Sequence, residues 1–188
     1  MTKEPKRGYR LFCGRGFPKR FRPLGMPHRA LIGIGGNIGD VEKRFEMVLR
    51  RFESSSLLNP LATSILFENP PFGYEDQPDF INSVILVETG LGPHALLRYL
   101  LWIEKRFGRK RSFPNAPRTL DLDIIFFDNL RLKSRRLTVP HPHFLERESV
   151  TIPLRYLQAG GCGARCSRDR RRLDEVDDFY GTHTRTGA

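Results

Sequence analysis

Residues 119–127 read Thr-Leu-Asp-Leu-Asp-Ile-Ile-Phe-Phe. Alternating apolar and acidic residues are the mark of a strand with one buried and one exposed face, so Leu120, Leu122 and Ile124 go inward and Asp121 and Asp123 outward. Working back from this strand, residues 93–107 carry a helical stripe, with Pro93 at its start and Gly108 just past its end. Before that helix, residues 61–67 and 80–88 are rich in β-formers and flank the Pro- and Gly-rich loop 68–79. Earlier still, Asp40 opens a helix in which Val41, Phe45, Val48, Leu49 and Phe52 share one face. Residues 29–35 are an apolar run that enters glycines, as a buried strand entering a tight loop does. Beyond the central strand, Asp128-Asn129 predicts a turn into a hairpin with residues 130–133. The order is β-α-β-β-α-β, which predicts an α+β fold: a ferredoxin-like sandwich with an added hairpin, two helices lying on one face of a mainly antiparallel sheet.

The net charge of +11 is uneven. Residues 1–29 carry +8, residues 30–157 only +2 and residues 158–188 +1, so the basicity belongs mostly to an N-terminal extension and says little about the domain. We expect a basic extension over 1–29, a catalytic domain over 30–157 and a disordered tail over 158–188. No run approaches the roughly 18–20 apolar residues of a membrane span, and no secretory h-region opens the chain. The extension is Arg-rich and acid-poor like a transit peptide, but it lacks Ser, and its Pro and Gly oppose an amphipathic helix. Cys13, Cys162 and Cys166 form no framework, which suggests a reducing, cytoplasmic setting. A zinc site from Cys162, Cys166 and His183 has only weak spacing in its favour.

Asp121 and Asp123 are the first residues to test for chemistry. At i and i+2 of a strand their side chains emerge about 7 Å apart on one face, where they can hold a divalent cation. Arg109, Lys110, Arg111 and Arg118 crowd the preceding loop, and Glu104 ends the preceding helix. Carboxylates for a metal beside guanidinium groups for phosphate suit phosphoryl transfer, which depends on positioning and charge. No G-x-x-x-x-G-K-[ST] occurs, so this is not a P-loop enzyme. The glycines from Gly33 to Gly39 miss the dinucleotide fingerprint by one residue and read better as a loop of close backbone approach. An RNA-binding module shares the strand order, but its aromatic motif is absent, and Asp121 and Asp123 would repel phosphate. No specific nucleic-acid partner is therefore expected.

Six ordered segments carry a resemblance: Ile34-Gly35-Gly36-Asn37, Asn69-Pro70-Pro71-Phe72-Gly73, Gln77-Pro78-Asp79-Phe80-Ile81-Asn82, Gly108-Arg109-Lys110-Arg111, Pro117-Arg118-Thr119-Leu120-Asp121-Leu122-Asp123 and Leu137-Thr138-Val139-Pro140-His141-Pro142. Over residues 30 to about 157 the chain resembles the 6-hydroxymethyl-7,8-dihydropterin pyrophosphokinases of folate biosynthesis. The resemblance implies transfer of pyrophosphate from ATP to the hydroxymethyl group of the pterin, with release of AMP. It implies two Mg²⁺ ions on Asp121 and Asp123, with Arg111 and Arg118 as catalytic phosphate clamps. ATP would be met by Glu104, Arg109, Arg111, Arg118, Arg136, Thr138, His141 and Arg147. The pterin would be met by Asn69, Pro70, Phe72, Phe80, Asn82 and Asp121, with Asn82 reading its edge and Phe80 stacking on its ring. Ser149 stands where the family usually has a second stacking aromatic; either Phe72 or Phe144 supplies that face, or the pterin binds with one stacking partner and lower affinity. The partners implied are these small molecules, and a downstream folate enzyme is left open.

Overall fold

The computed structural model describes residues 8–109 and 116–158. Nine strands and three helices occur among them, in the order β1 (Arg10–Phe12), β2 (Lys19–Arg20), β3 (His28–Gly36), α1 (Val41–Glu53), β4 (Leu58–Thr63), β5 (Leu66–Asn69), β6 (Phe80–Thr89), α2 (Pro93–Arg106), β7 (Asp121–Phe127), β8 (Leu132–Lys133), β9 (Thr138–Val139) and α3 (Glu148–Gln158). The fold is α+β with a mainly antiparallel sheet, as the periodicity predicts. β3 lies between β6 and β7, and β6 is flanked on its other side by β4 and β5 end to end.

α1 begins where Asp40 accepts a hydrogen bond from the Lys43 backbone N–H at 3.0 Å, an N-cap that satisfies one free donor of the first turn. Its five apolar stripe residues are all buried, together with Leu96, Leu100 and Ile103 of α2, against Ile32, Ile34, Ile85, Leu122 and Ile124 of the sheet. This is the main core. The opposite face carries a smaller cluster, in which Val150 and Leu154 of α3 cover Leu31, Val84 and Ile125.

The structure departs from the expected elements in four places. The single strand expected over 61–67 is two strands, because Ser64 interrupts the ladder: its hydroxyl accepts from the Val84 N–H at 3.0 Å and meets the Ser83 hydroxyl at 2.8 Å. The hairpin does not form between β7 and residues 130–133. Asp128, at φ 45°, ends the sheet by binding the Arg29 N–H at 2.7 Å, and the chain turns away so that Leu132 and Lys133 pair with β9 instead. α3 was not expected, since Pro153 sits inside it. Pro lacks the donor that a helix interior uses, which conceals such a segment from propensity reasoning.

The fourth departure concerns the N-terminal extension. Its described part joins the sheet, β1 pairing with β5 and β2 with β4. Phe17 is only 1% exposed and packs against Phe45, their ring centroids 5.9 Å apart. Buried Glu88 of β6 accepts the backbone N–H groups of Leu24, Gly25 and Met26, and these bonds hold its carboxyl below the ordinary range although burial opposes them. β3 itself starts at His28, ahead of the boundary expected at residue 30. Of the tail expected over 158–188, Gln158 is the last residue of α3; the rest, with the zinc site imagined from Cys162, Cys166 and His183, lies outside the described residues.

Candidate active site

The half of the sheet left open beside α3 owes its emptiness to glycine. In the register Gly33 lies opposite Asp123 and Gly35 opposite both Asp121 and Asn82. A Cβ on Gly35 would come within 2.7 Å of Asn82 Oδ1, and one on Gly36 within 2.6 Å of the Thr119 carbonyl oxygen. Both acidic side chains therefore rise from a floor with no side chains beside them on β3.

Two cavities meet at this floor. The larger, about 710 Å³, runs from Asn69–Phe72 and Phe80 across Asn82, Asp121 and Asp123 to Arg147–Ser149 at the start of α3. The smaller, about 280 Å³, is lined by Asp123 with Arg135, Arg136, Thr138 and His141. Asp123 borders both.

Charge at the floor is tightly paired. Arg109 and Arg118 bind separate oxygens of Asp121, each at 2.6 Å, and Arg147 stands 3.6 Å from Asp123. Glu104, 2% exposed, lies under β7, where it accepts from the Leu122 N–H at 2.7 Å and from Arg109. Burial pushes the Glu104 carboxyl up to about 7, against the pull of those two donors. Burial, and then the charge of Asp121, raise the Asp123 carboxyl, with Arg147 pulling the other way. His141 is held below its usual value by burial and by Arg147 and His143, so it is a neutral ring at neutral pH.

Among the described residues no third His, Cys, Asp or Glu joins Asp121 and Asp123 in a metal-sized group. Two carboxylates with open space beside them suit Mg²⁺, which keeps several waters and takes phosphate oxygens as further ligands.

The structure brings together Asn69, Pro70, Phe72, Phe80, Asn82, Arg118, Asp121, Asp123 and Arg147 around one cavity, and Arg136, Thr138 and His141 around the next. Glu104 and Arg109 line neither. They stand behind Asp121 and fix it. Arg111 lies outside the described residues. Of the two candidates for a further aromatic face, Phe144 is turned onto Phe126, with centroids 4.7 Å apart, and lines neither cavity, whereas Phe72 lines the larger one but is 88% exposed.

Two contributors escaped the sequence reading. Asn37 ties three segments: its side-chain N–H groups donate to Gln77 Oε1 and the Pro78 carbonyl, both at 2.9 Å, and its Oδ1 accepts from the Arg118 N–H at 2.9 Å. Its place at the end of the glycine run was visible, but its partners were not. Tyr9, from the extension, also lines the larger cavity.

An acidic pair ringed by arginines on an open antiparallel sheet defines a phosphoryl-transfer class of site. The family model for 7,8-dihydro-6-hydroxymethylpterin-pyrophosphokinase matches residues 31–159. The chain is 38% identical over 147 residues to the 2-amino-4-hydroxy-6-hydroxymethyldihydropteridine pyrophosphokinase of Helicobacter pylori, covering 77% of this chain and 90% of that one. It is 45% identical over 125 residues to the enzyme of the same name from Campylobacter jejuni, covering 66% of this chain and 80% of that one. Against the Arabidopsis thaliana mitochondrial folate synthesis bifunctional protein it is 39% identical over 127 residues, 68% of this chain and 23% of that one. The chain belongs to the 7,8-dihydro-6-hydroxymethylpterin-pyrophosphokinase family. It is accordingly a diphosphokinase, a transferase of folate biosynthesis.

Proposed function

We propose that this enzyme transfers the pyrophosphoryl group of ATP to the hydroxymethyl oxygen of 6-hydroxymethyl-7,8-dihydropterin and releases AMP. The observation that carries the reading is the position of Asp123, at the junction of a large cavity and a small one, with Asp121 beside it. The larger cavity suits the pterin: Phe80 offers a ring face, and Asn82 an amide edge held by a 2.8 Å hydrogen bond to Asn69 Oδ1. The smaller, with Arg136, Thr138 and His141, suits the nucleotide.

Asp121 and Asp123 would hold two Mg²⁺ ions. When bound, they would supply Lewis-acid polarisation and charge neutralisation. The chain's own part is to orient and compensate. Arg118 lies with its guanidinium carbon 5.4 Å from the Phe80 ring centroid while it pairs with Asp121, so it links the ring proposed for the pterin to the carboxylate proposed for the metal. Arg147, 3.6 Å from Asp123, would offset negative charge gathered beside that carboxylate. Glu104 keeps Arg109 against Asp121, and Arg111 is assigned to the phosphates. His141 can donate a ring N–H to a phosphate oxygen. The catalytic unit is placed at residues 30–157, with the strands of residues 8–29 on its edge and a C-terminal tail. Its partners are these small molecules, and its setting is the cytoplasm.

Incubation with the pterin alcohol, ATP and Mg²⁺ should yield AMP and pterin diphosphate in equal amounts. An ATP analogue with methylene between the α and β phosphorus atoms should give no product, because that linkage is the one broken, while the β,γ-methylene analogue should still react. ADP with a pterin monophosphate would overturn the choice of phosphorus but leave phosphoryl transfer standing.

A further inference from the structure

The sheet register carries an aromatic from outside the family match into the larger cavity. β1 pairs with β5 through Arg10–Glu68, Leu11–Phe67 and Phe12–Leu66. Tyr9 therefore comes one step beyond the pairing, alongside Asn69, and Asn69 in turn pairs with Phe80. Paired residues of neighbouring strands, and residues two apart on one strand, share a face. Leu11, Phe67 and Asn82 form such a cross-strand row on the cavity side, and Tyr9 opens on that side too.

Three contacts fix it there. Its ring meets Phe67 edge-on, with centroids 5.2 Å apart at 84°. Its hydroxyl donates to Glu148 Oε2 in the first turn of α3. The preceding Gly8 sits so close to Pro70 that a Cβ there would lie 3.0 Å from the proline Cγ. The hydrogen bond to Glu148, and then burial, push the phenol up to about 12, so it remains a protonated donor throughout the neutral range.

A flat heterocycle is held best between flat faces. Phe80 provides one in this cavity, but the α3 wall offers Glu148, Ser149 and Val150, none of them a flat ring, and Phe72 stands largely in water. We propose that Tyr9 is a substrate-binding residue: its ring is a wall of the pterin site, fixed by Glu148, so that the N-terminal strand sets affinity for the flat substrate. This rests on the pterin assignment made above.

The test uses the full chain and its Tyr9→Phe, Tyr9→Leu and Glu148→Gln variants, with pterin alcohol and ATP varied separately in the AMP assay. Leu preserves apolar contact with Phe67 while removing the flat face, and an aromatic contact of this kind is worth about a three- to tenfold change in affinity. Tyr9→Leu should raise KM for the pterin by that factor, with Tyr9→Phe and Glu148→Gln raising it less. KM for ATP and kcat should stay within about twofold of the parent. An unchanged pterin KM in Tyr9→Leu, or a rise in both KM values together, as a loosened fold would give, overturns the inference. Fluorescence titration of the pterin alcohol separates the two claims. If the parent binds pterin without forming AMP, the functional reading falls and Tyr9 is judged on binding alone; if it binds none, both fall.

Discussion

Asp121→Asn and Asp123→Asn should each lower turnover by several orders of magnitude while the protein keeps its fold. The exchange of one oxygen for NH₂ leaves volume unchanged, and both side chains lie on the open face rather than in the core. On the assignment proposed above, what is lost is a negative ligand for a divalent cation at the point where charge develops. The two variants should differ in their second effect. Asp121 binds Arg109 and Arg118, so its neutralisation loosens two guanidinium groups, whereas among the described residues the ion pair at Asp123 is the longer one to Arg147. Asp121→Asn should therefore raise KM for ATP more than Asp123→Asn does. Initial rates at saturating Mg²⁺, set beside thermal melting of each variant, check both statements. A rate near that of the parent in either variant would sink the metal assignment.

Phe17→Ala should destabilise the protein by about 3–5 kcal/mol, the usual cost of emptying a fully buried aromatic site. The sequence places Phe17 in a basic extension, where truncation would cost almost nothing, but its ring packs against Phe45 of α1 in the main core. Urea denaturation should show a lower midpoint with an unchanged slope, because the same surface is still exposed on unfolding. A loss below about 1 kcal/mol would mean that the segment is detachable after all.

Some of this structure was legible because its signals are periodic. The stripe from Val41 to Phe52 and the alternation from Leu120 to Ile124 each state which side is buried, and the core follows them. The acidic pair was legible for the same reason, as alternation puts both carboxylates on the face the core leaves free. Other features were hidden because they depend on partners distant in the chain. Ser64 breaks a strand only because Val84 and Ser83 lie beside it. β1 and β2 are three- and two-residue strands, too short for a period to show, and they exist because β5 and β4 present open edges. Glu104 looked like a nucleotide ligand at the end of a helix, yet the fold buries it beneath β7, where its carboxylate serves the backbone and Arg109.

The clasp of Glu88 on Leu24, Gly25 and Met26 joins residues 62 to 64 positions apart. At about 5–20 residues per second, Leu24 to Met26 leave the ribosome roughly 3–13 s before Glu88 does. Through that interval Phe12, Phe17 and Phe21 have no core to enter, although with Tyr9 they emerge before the other aromatic side chains of the described residues. The segment that appears first is thus among the last to be secured, and its exposure is a matter of translation timing. Nascent chains arrested before residue 88 emerges should be cut by protease within residues 10–26, and chains arrested beyond β7 should resist. Slow codons between β2 and β6 would lengthen that exposure, and a chaperone that engages aromatic, basic segments would meet this one early in synthesis.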